Sequence, residues 1–441
     1  MSLIVQNPLE VYTVNNQALI YSVTETGSIT GGYRFVIWVY EYDNTTANEI
    51  AKVYLTPNPN SISYLDLSTI VKDRLAVDVS PPPPGDGDVI HKEASVTYST
   101  TGTRKYRVEF GYYTTAGGEI ASSVSKYIYL LDGAFQVSAG PTPSFEDYYA
   151  TSITTSWKKV WLTDRFPNAK GGSQFIVDTA IDWKMSDDDE GVVAWIHDSL
   201  VIGGLDNKVR IDLYNASGLV GSESIFITTL GGTDLTDPNT NRKVHYLGVG
   251  PKNIVSWASY NPVANPDWTF YSIKLTAGRD QCSKFLVVTR DCEILRGQRV
   301  QLAYTNRLGG WDYLTFDGFN SKSETKSDKP YLKQIGDWGG SNLASDFTSF
   351  ARERVSAQVQ STKNYSLITN RFTDIDYYCL QGALRSNNVM IKFVGGSEYV
   401  EDNDKWLPVN IKDTSYQIRD FGNTKIYDVK VKVELAQQIR C

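Results

Sequence analysis

Acid–base and thiol chemistry have little to work with in this chain, which carries three histidines, three methionines and four cysteines in 441 residues. Four cysteines exclude a disulfide-built scaffold at this length. Cys282 and Cys292 are spaced to sit on adjacent strands, as a bridge or half of a zinc site; Cys379 falls in an expected helix, and Cys441 is the last residue. Reduced, structural thiols are the expected state, because zinc would call for nearby histidines and His91, His197 and His245 are far apart. His197, between apolar Trp195-Ile196 and polar Asp198, is the histidine best placed for catalysis. Nothing beside it in sequence completes a nucleophile or a metal site.

Long apolar runs are missing too. No stretch approaches the roughly 18 residues that span a bilayer. The amino terminus, Met1-Ser2-Leu3-Ile4-Val5-Gln6-Asn7-Pro8, has no basic segment leading into an apolar one, so no signal peptide is expected. Nor is there a surplus of positive charge: 43 basic residues stand against 50 acidic ones, a formal net charge of −7. That balance leaves no electrostatic footprint for nucleic acid or for an anionic membrane. A protein made in a cytosol and kept soluble there, with no nucleic-acid and no membrane partner, is the expectation.

Catalytic signatures are equally scarce. The chain has no phosphate-binding G-x-x-x-x-G-K-[ST] loop, no G-x-S-x-G elbow, no H-E-x-x-H and no G-x-G-x-x-G opening a helix. The acidic run Asp187-Asp188-Asp189-Glu190-Gly191 invites a calcium reading, but its spacing departs from the D-x-D-x-D-G loop, and a solvated turn between strands is expected. Asp86-Gly87-Asp88 and Glu401-Asp402-Asn403-Asp404 are weaker versions of the same pattern. A glycoside hydrolase needs only two carboxylates about 5–10 Å apart, which sequence alone does not reveal. No residue is therefore assigned a catalytic, cofactor-binding or metal-binding role, no cofactor is expected, and the chain is read as a non-enzyme.

What the chain does have is tyrosine and tryptophan, 28 and 10 of them, with 41% hydrophobic residues overall. These side chains suit pleated, half-buried surfaces and protein interfaces. Period-two alternation dominates. In Lys208-Val209-Arg210-Ile211-Asp212-Leu213-Tyr214 the apolar set Val209, Ile211 and Leu213 faces one way and the polar set the other. Further strands are expected at residues 34–40, 51–55, 105–113, 125–131, 175–183, 192–196, 224–230 and 268–275. Helical spacing occurs twice, at residues 66–75 and from Thr373-Asp374 to about Leu384.

Breakers set the expected limits. Ser80-Pro81-Pro82-Pro83-Pro84-Gly85 reads as an exposed loop, and Gly140-Pro141-Thr142-Pro143 as a boundary. The expected fold is mainly β and multidomain. An immunoglobulin- or fibronectin-like sandwich is placed at 1–138, a larger sandwich at 139–360 and a small α+β module at 361–441.

The sharpest local signal is Asn306-Arg307-Leu308-Gly309-Gly310-Trp311-Asp312-Tyr313-Leu314-Thr315-Phe316, two alternating runs about a glycine pair. Two adjacent glycines are expected to supply the positive φ of a tight hairpin, with Asn306, Arg307 and Asp312 fixing the loop. This N-R-L-G-G-W-D-Y-x-T-F string resembles a motif of tailed-bacteriophage structural proteins. Thr56-Pro57-Asn58-Pro59 followed by Tyr64-Leu65-Asp66-Leu67-Ser68-Thr69-Ile70 is similar to their strand, P-N-P and short-helix unit. The stretch from Tyr378 to Ser386, then Val389-Met390-Ile391 and Trp406-Leu407-Pro408-Val409, resembles their terminal helix, S-x-x-V and W-x-P-V unit. Residues from about 140 to 280 carry no such likeness.

The resemblance implies a virion component associated with tail, baseplate or fibre, assembled in the host cytoplasm. It would act through other virion proteins and as a homo-oligomer, with Tyr-rich loops as anchors. Two other classes stand beside it: an adhesin that recognises a host-surface glycan or receptor, and a glycan-degrading enzyme.

Overall fold

The computed structural model describes residues 3–6, 13–14, 19–25, 33–43, 46–71, 74, 96–98, 103–114, 118–131, 159–163, 165, 181–197, 207–227, 244–277, 280–281, 283–291, 299–306, 308–318, 320–332, 354–394, 406–421, 424–436 and 439–440. The fold is mainly β, with several sheets and three helices among the described residues. Contacts divide the chain into two compact units. The first comprises Met1–Ile294, Ala303–Leu314 and Ile375–Asn388; the second comprises Leu295–Leu302, Thr315–Asp374 and Val389–Cys441.

The first unit begins with strands β1 (Leu3–Gln6), β2 (Thr13–Val14), β3 (Ile20–Glu25), β4 (Arg34–Asp43), β5 (Thr46–Leu55) and β6 (Ile62–Asp66). A one-turn helix α1 (Ser68–Val71) follows, then β7 (Val96–Tyr98), β8 (Thr103–Thr114) and β9 (Gly118–Leu131). Two sheets form from these, one in the order β1-β3-β6 and the other β2-β9-β8-β4-β5. This is a β-sandwich arrangement: the first, third and sixth strands of the early run pair together, and the long hairpins build the second sheet. Alternation explains the packing. Tyr21 and Val23 of one sheet meet Phe35, Ile37, Val39, Tyr106, Val108 and Phe110 of the other, all buried, and α1 closes one end with Leu67 and Val71. Each such buried side chain contributes about 1.5–3 kcal/mol. The proline-rich 81–84 segment and the Gly140-Pro141 break lie outside the described residues.

Strand β7 does not join this sandwich. It pairs antiparallel with a strand far along the chain, Tyr98 opposite His245 and Val96 opposite Leu247. The middle of the first unit holds β10 (Lys159–Trp161), β11 (Ile181–Met185), β12 (Val192–His197), β13 (Asn207–Asn215), β14 (Gly218–Phe226) and β15 (His245–Gly248). A short helix α2 (Pro251–Ile254), β16 (Trp268–Ala277), β17 (Asp280–Gln281) and β18 (Leu286–Arg290) complete it. Sheet order is β10-β12-β15-β7 in one sheet and β11-β18-β16-β13-β14, with β17 against β16, in the other. Val192 to Ile196 are all buried, as a continuous apolar run predicts for a strand covered on both faces. Strand β13 buries Val209, Ile211 and Leu213, as the alternation requires. Side chains bridge the two sheets: the Tyr271 hydroxyl donates to Val249 O at 2.6 Å and Trp161 Nε1 to Lys284 O at 2.8 Å.

Strands β19 (Arg299–Thr305) and β20 (Trp311–Phe316) contribute residues to both units. The second unit holds β21 (Ser321–Leu332) and β22 (Arg354–Phe372). Helix α3 (Asp374–Arg385) then leads to β23 (Val389–Val394), β24 (Leu407–Phe421), β25 (Thr424–Leu435) and β26 (Ile439–Arg440). The strands order as β23-β24-β25-β22-β21, with β26 against β22. Tyr365, Leu367, Ile391, Phe393, Val429, Val431 and Val433 are buried. The expected module limit at 360/361 falls inside β22, and the strand–helix–strands order expected beyond it is present.

Truncating Phe35, fully buried in the sandwich core, should cost about 3–5 kcal/mol in chemical denaturation. Ile20→Ala, at 51% exposure, should stay within about 0.5 kcal/mol of the parent. Equal losses at the two positions would contradict the assigned strand faces.

Candidate functional site

The N-R-L-G-G-W-D-Y segment folds as expected into a hairpin, but by a different device. Its loop spans residues 306–310 between β19 and β20 rather than two central residues. Of the two glycines, Gly309 alone has positive φ, at 82°. Gly310 is required for another reason: a Cβ there would lie 2.0 Å from Leu162 O. Arg307 lies outside the described residues.

Asn306 closes the loop. Its Oδ1 accepts from Leu308 N at 2.9 Å and Gly310 N at 3.0 Å. Its Nδ2 donates to Leu162 O at 2.8 Å and to Asp312 Oδ2 at 3.0 Å. These four bonds use the whole capacity of a primary amide. Asp312 also accepts from the Thr163 hydroxyl. Asn306, Asp312 and Thr163 are 2%, 0% and 0% exposed, so no substrate reaches them. Trp311 points into the core, and Tyr313 accepts from Val192 N at 2.9 Å while its ring meets Trp183 edge-on.

Arg165 extends the network. Its guanidinium donates to Tyr313 O at 2.6 Å and to Asp376 Oδ1 at 3.0 Å, tying α3 to the hairpin. Burial works against its charge, but Asp376 and neighbouring acids hold it ionised above its ordinary range. Thr305 N donates to Asn388 O at 3.1 Å, and Thr305 Oγ1 lies 2.8 Å from Ser386 Oγ.

The other motif-like stretches work the same way. In the P-N-P turn, Asn58 Oδ1 accepts from Asn60 N at 2.9 Å and Ile62 N at 3.0 Å. Asp66 Oδ1 accepts from Ser68 N at 3.0 Å and Leu19 N at 2.9 Å, starting α1 and fixing it to β3's approach. Ser386 Oγ donates to Asn388 O at 3.0 Å beyond α3. Each named polar residue satisfies backbone groups where an element stops.

The acidic run is a turn, as expected, but only half solvated. Asp189 and Glu190 are buried, and Asp189 Oδ2 accepts from Ser186 N at 2.8 Å. Asp187 accepts from Trp268 Nε1 at 2.8 Å and pairs with Arg290 at 2.5 Å. Sequence reading of this run as freely solvated misses that a turn's carboxylates can cap its own amides. Among the described residues no group of three or more His, Cys, Asp or Glu side chains is arranged to hold a metal. His245 is fully buried and stacks on Trp195, His197 sits on β12 opposite Lys159, and His91 lies outside the described residues. Cys379 is buried in α3; the other three cysteines are outside the described residues.

The tyrosines named in the cores sit on strands. Tyr54, Tyr64 and Tyr260 are the large exposed tyrosines among the described residues. Tyr54 belongs to the outer face of the five-stranded sheet, where its hydroxyl donates to Glu119 and its ring meets Tyr113 edge-on. Lys52 pairs with Glu119 at 2.5 Å and lies 5.7 Å from the Trp38 ring centre. Here an aromatic and charged surface faces solvent.

No protein-family model matches the chain, and no curated protein is matched. Among solved structures, Escherichia coli alpha-2-macroglobulin activated by porcine elastase aligns over 99% of this chain and 41% of that one, at 6% identity and a TM-score of 0.19. A likeness that small carries no argument.

Asn306→Ala strands Leu162 O and two loop amides, and buried unsatisfied groups cost about 1–3 kcal/mol each. A loss of several kcal/mol in urea denaturation is expected; one below 1 kcal/mol would contradict the lock. Burial, then nearby Asp189, pushes the Tyr271 phenol well above its ordinary value, and burial does the same for Tyr313. The fold therefore favours the neutral phenols. Their contribution is complete below the unfolded phenol pKa and falls as pH rises above about 10. Denaturation midpoints should drop across that window in the parent and less in Tyr271→Phe.

Proposed function

We propose that the chain is a structural component of a bacteriophage virion, associated with tail, baseplate or fibre, and that it acts by protein–protein assembly. The observation that carries this reading is what the phage-like stretches do. Their polar residues, Asn58, Asp66, Asn306, Asp312 and Ser386, are spent on closing turns and joining strands. A sequence whose most distinctive residues rigidify a scaffold suits a part that must hold its shape under many contacts. Other virion proteins and further copies of the chain are the partners this reading implies, in a particle assembled in the host cytoplasm.

The outer face of the five-stranded sheet is the contact surface we favour. Tyr54, at 45% exposure beside half-buried Tyr113 and the exposed Lys52, brings apolar area on a stiff side chain. Residues of this kind dominate interface energetics.

Light scattering of the purified chain should give a mass above one copy. Tyr54→Ala should weaken self-association by about tenfold or more while leaving the melting temperature within a degree or two. Labelling in intact particles should then place the chain on the tail. A strict monomer that is absent from particles, or that hydrolyses a polysaccharide, would overturn the reading.

A further inference from the structure

The sheet β11-β18-β16-β13-β14 buries one face in apolar core and carries polar and half-buried side chains on the other, where Asp212, Ser272 and Thr276 are covered by their longer neighbours. Because Val209, Ile211 and Leu213 on β13 and Tyr271, Ile273 and Leu275 on β16 are buried, alternation puts Lys208, Arg210, Asp212, Tyr214, Phe270, Ser272 and Lys274 on the opposite face. Register places Arg210 directly across from Lys274. Like charges in that relation repel, and the buried carboxylate of Asp212, which pairs with Arg210 and also acts on Lys274, offsets two cations with one negative charge. Lys208 lies one step along the same face, about 7 Å from Arg210 by strand geometry.

The cations are held in an ordered way. Lys208 Nζ lies 4.2 Å from the Phe226 ring centre and Lys274 Nζ 4.6 Å from that of Phe285. The neighbouring carboxylate, Asp212, is 6% exposed and takes a bond from Arg210 Nε at 2.9 Å, which leaves the terminal fork of the guanidinium out of that pair. Burial, then the Arg210 charge, lowers the Lys274 pKa, as a locally positive field should. Beyond the intervening Asp212–Ser272 row, Tyr214 and Phe270 stack at 4.4 Å with planes 10° apart. On β11 at the sheet's far edge, Asp182 and Lys184 add one charge of each sign.

We propose that this face binds an acidic polysaccharide, its carboxylate or sulfate groups seated along Arg210 and Lys274 and a sugar ring packed on the Tyr214–Phe270 pair. Cations flanked by aromatic rings match a ligand that alternates charged groups with apolar ring faces. A nucleic-acid strand fits less well. Its affinity comes from many regularly spaced phosphate contacts, and this face offers three clustered cations beside one stacked aromatic pair. The site lies on a different sheet from the Tyr54 surface and does not depend on the assembly reading.

The test is calorimetric titration of the full chain with polygalacturonate, dextran sulfate, neutral dextran and oligodeoxythymidylate. An acidic polysaccharide should bind, more weakly as salt is raised, while neutral dextran should not. Arg210→Gln/Lys274→Gln should lose tenfold or more in affinity, and its melting temperature should fall because buried Asp212 loses its cationic partner. Lys274→Gln alone, which leaves the Arg210–Asp212 pair intact, should lose affinity with the melting temperature held, and Tyr214→Ala should lose part of the affinity. No binding of either acidic polymer, unchanged affinity in the charge variants, or tighter binding of oligodeoxythymidylate would overturn the proposal. Light scattering of the same samples reads self-association separately, so either reading can fail without the other.

Discussion

The side chain of Asn306 is the constraint on which much of the first unit rests. One primary amide replaces the hydrogen bonds that a five-residue loop cannot make with itself, and reaches across to Leu162 and Asp312. Around it, segments distant in sequence converge: the extended stretch after β10, the hairpin, and both ends of α3. A buried polar group is expensive unless every donor and acceptor is matched, so a network like this specifies one arrangement and penalises near misses. Gly310 shows the tolerance, since the backbone of Leu162 comes too close for any side chain.

Much of this architecture was legible in sequence. Alternation in residues 208–214 and the strand expected at 192–196 are both found, the first buried on one face and the second throughout. The helix beginning near Asp374 appears with the expected span, because its apolar residues Cys379, Leu380 and Ala383 fall on one face. The glycine pair was readable as a turn but not as a division of labour between φ and close approach, because close approach depends on a strand from elsewhere. Thr163 and Arg165 had no local signal at all. Their roles arise from partners at Asp312, Tyr313 and Asp376, and non-local pairing leaves no period in the chain.

The same limit explains why acidic and amide residues are weak guides to chemistry here. Asp189 beside Ser186 and Asp312 beside Thr163 look, as isolated residues, like candidate acids or ligands. In place they are acceptors for groups that would otherwise be orphaned inside the protein. On the cationic face of β13 and β16, Arg210 meets such a demand through buried Asp212, while Lys208 and Lys274 lie over aromatic rings. The pattern of that face emerges only when register aligns Arg210 with Lys274.

Strand β7 carries a consequence for synthesis. Residues Val96 to Tyr98 are made long before His245 to Leu247, their partners, leave the ribosome. At about 5–20 residues per second the delay is on the order of ten seconds, long compared with the folding of a small β domain. The sandwich built from β1–β6, β8 and β9 can be complete while the β7 segment, encoded within its span, still waits for its partner. Translation therefore produces a half-finished sheet edge that must be shielded or outpaced, and a ribosome that stalled before residue 245 would release a chain whose early part is folded and whose β7 backbone is unpaired.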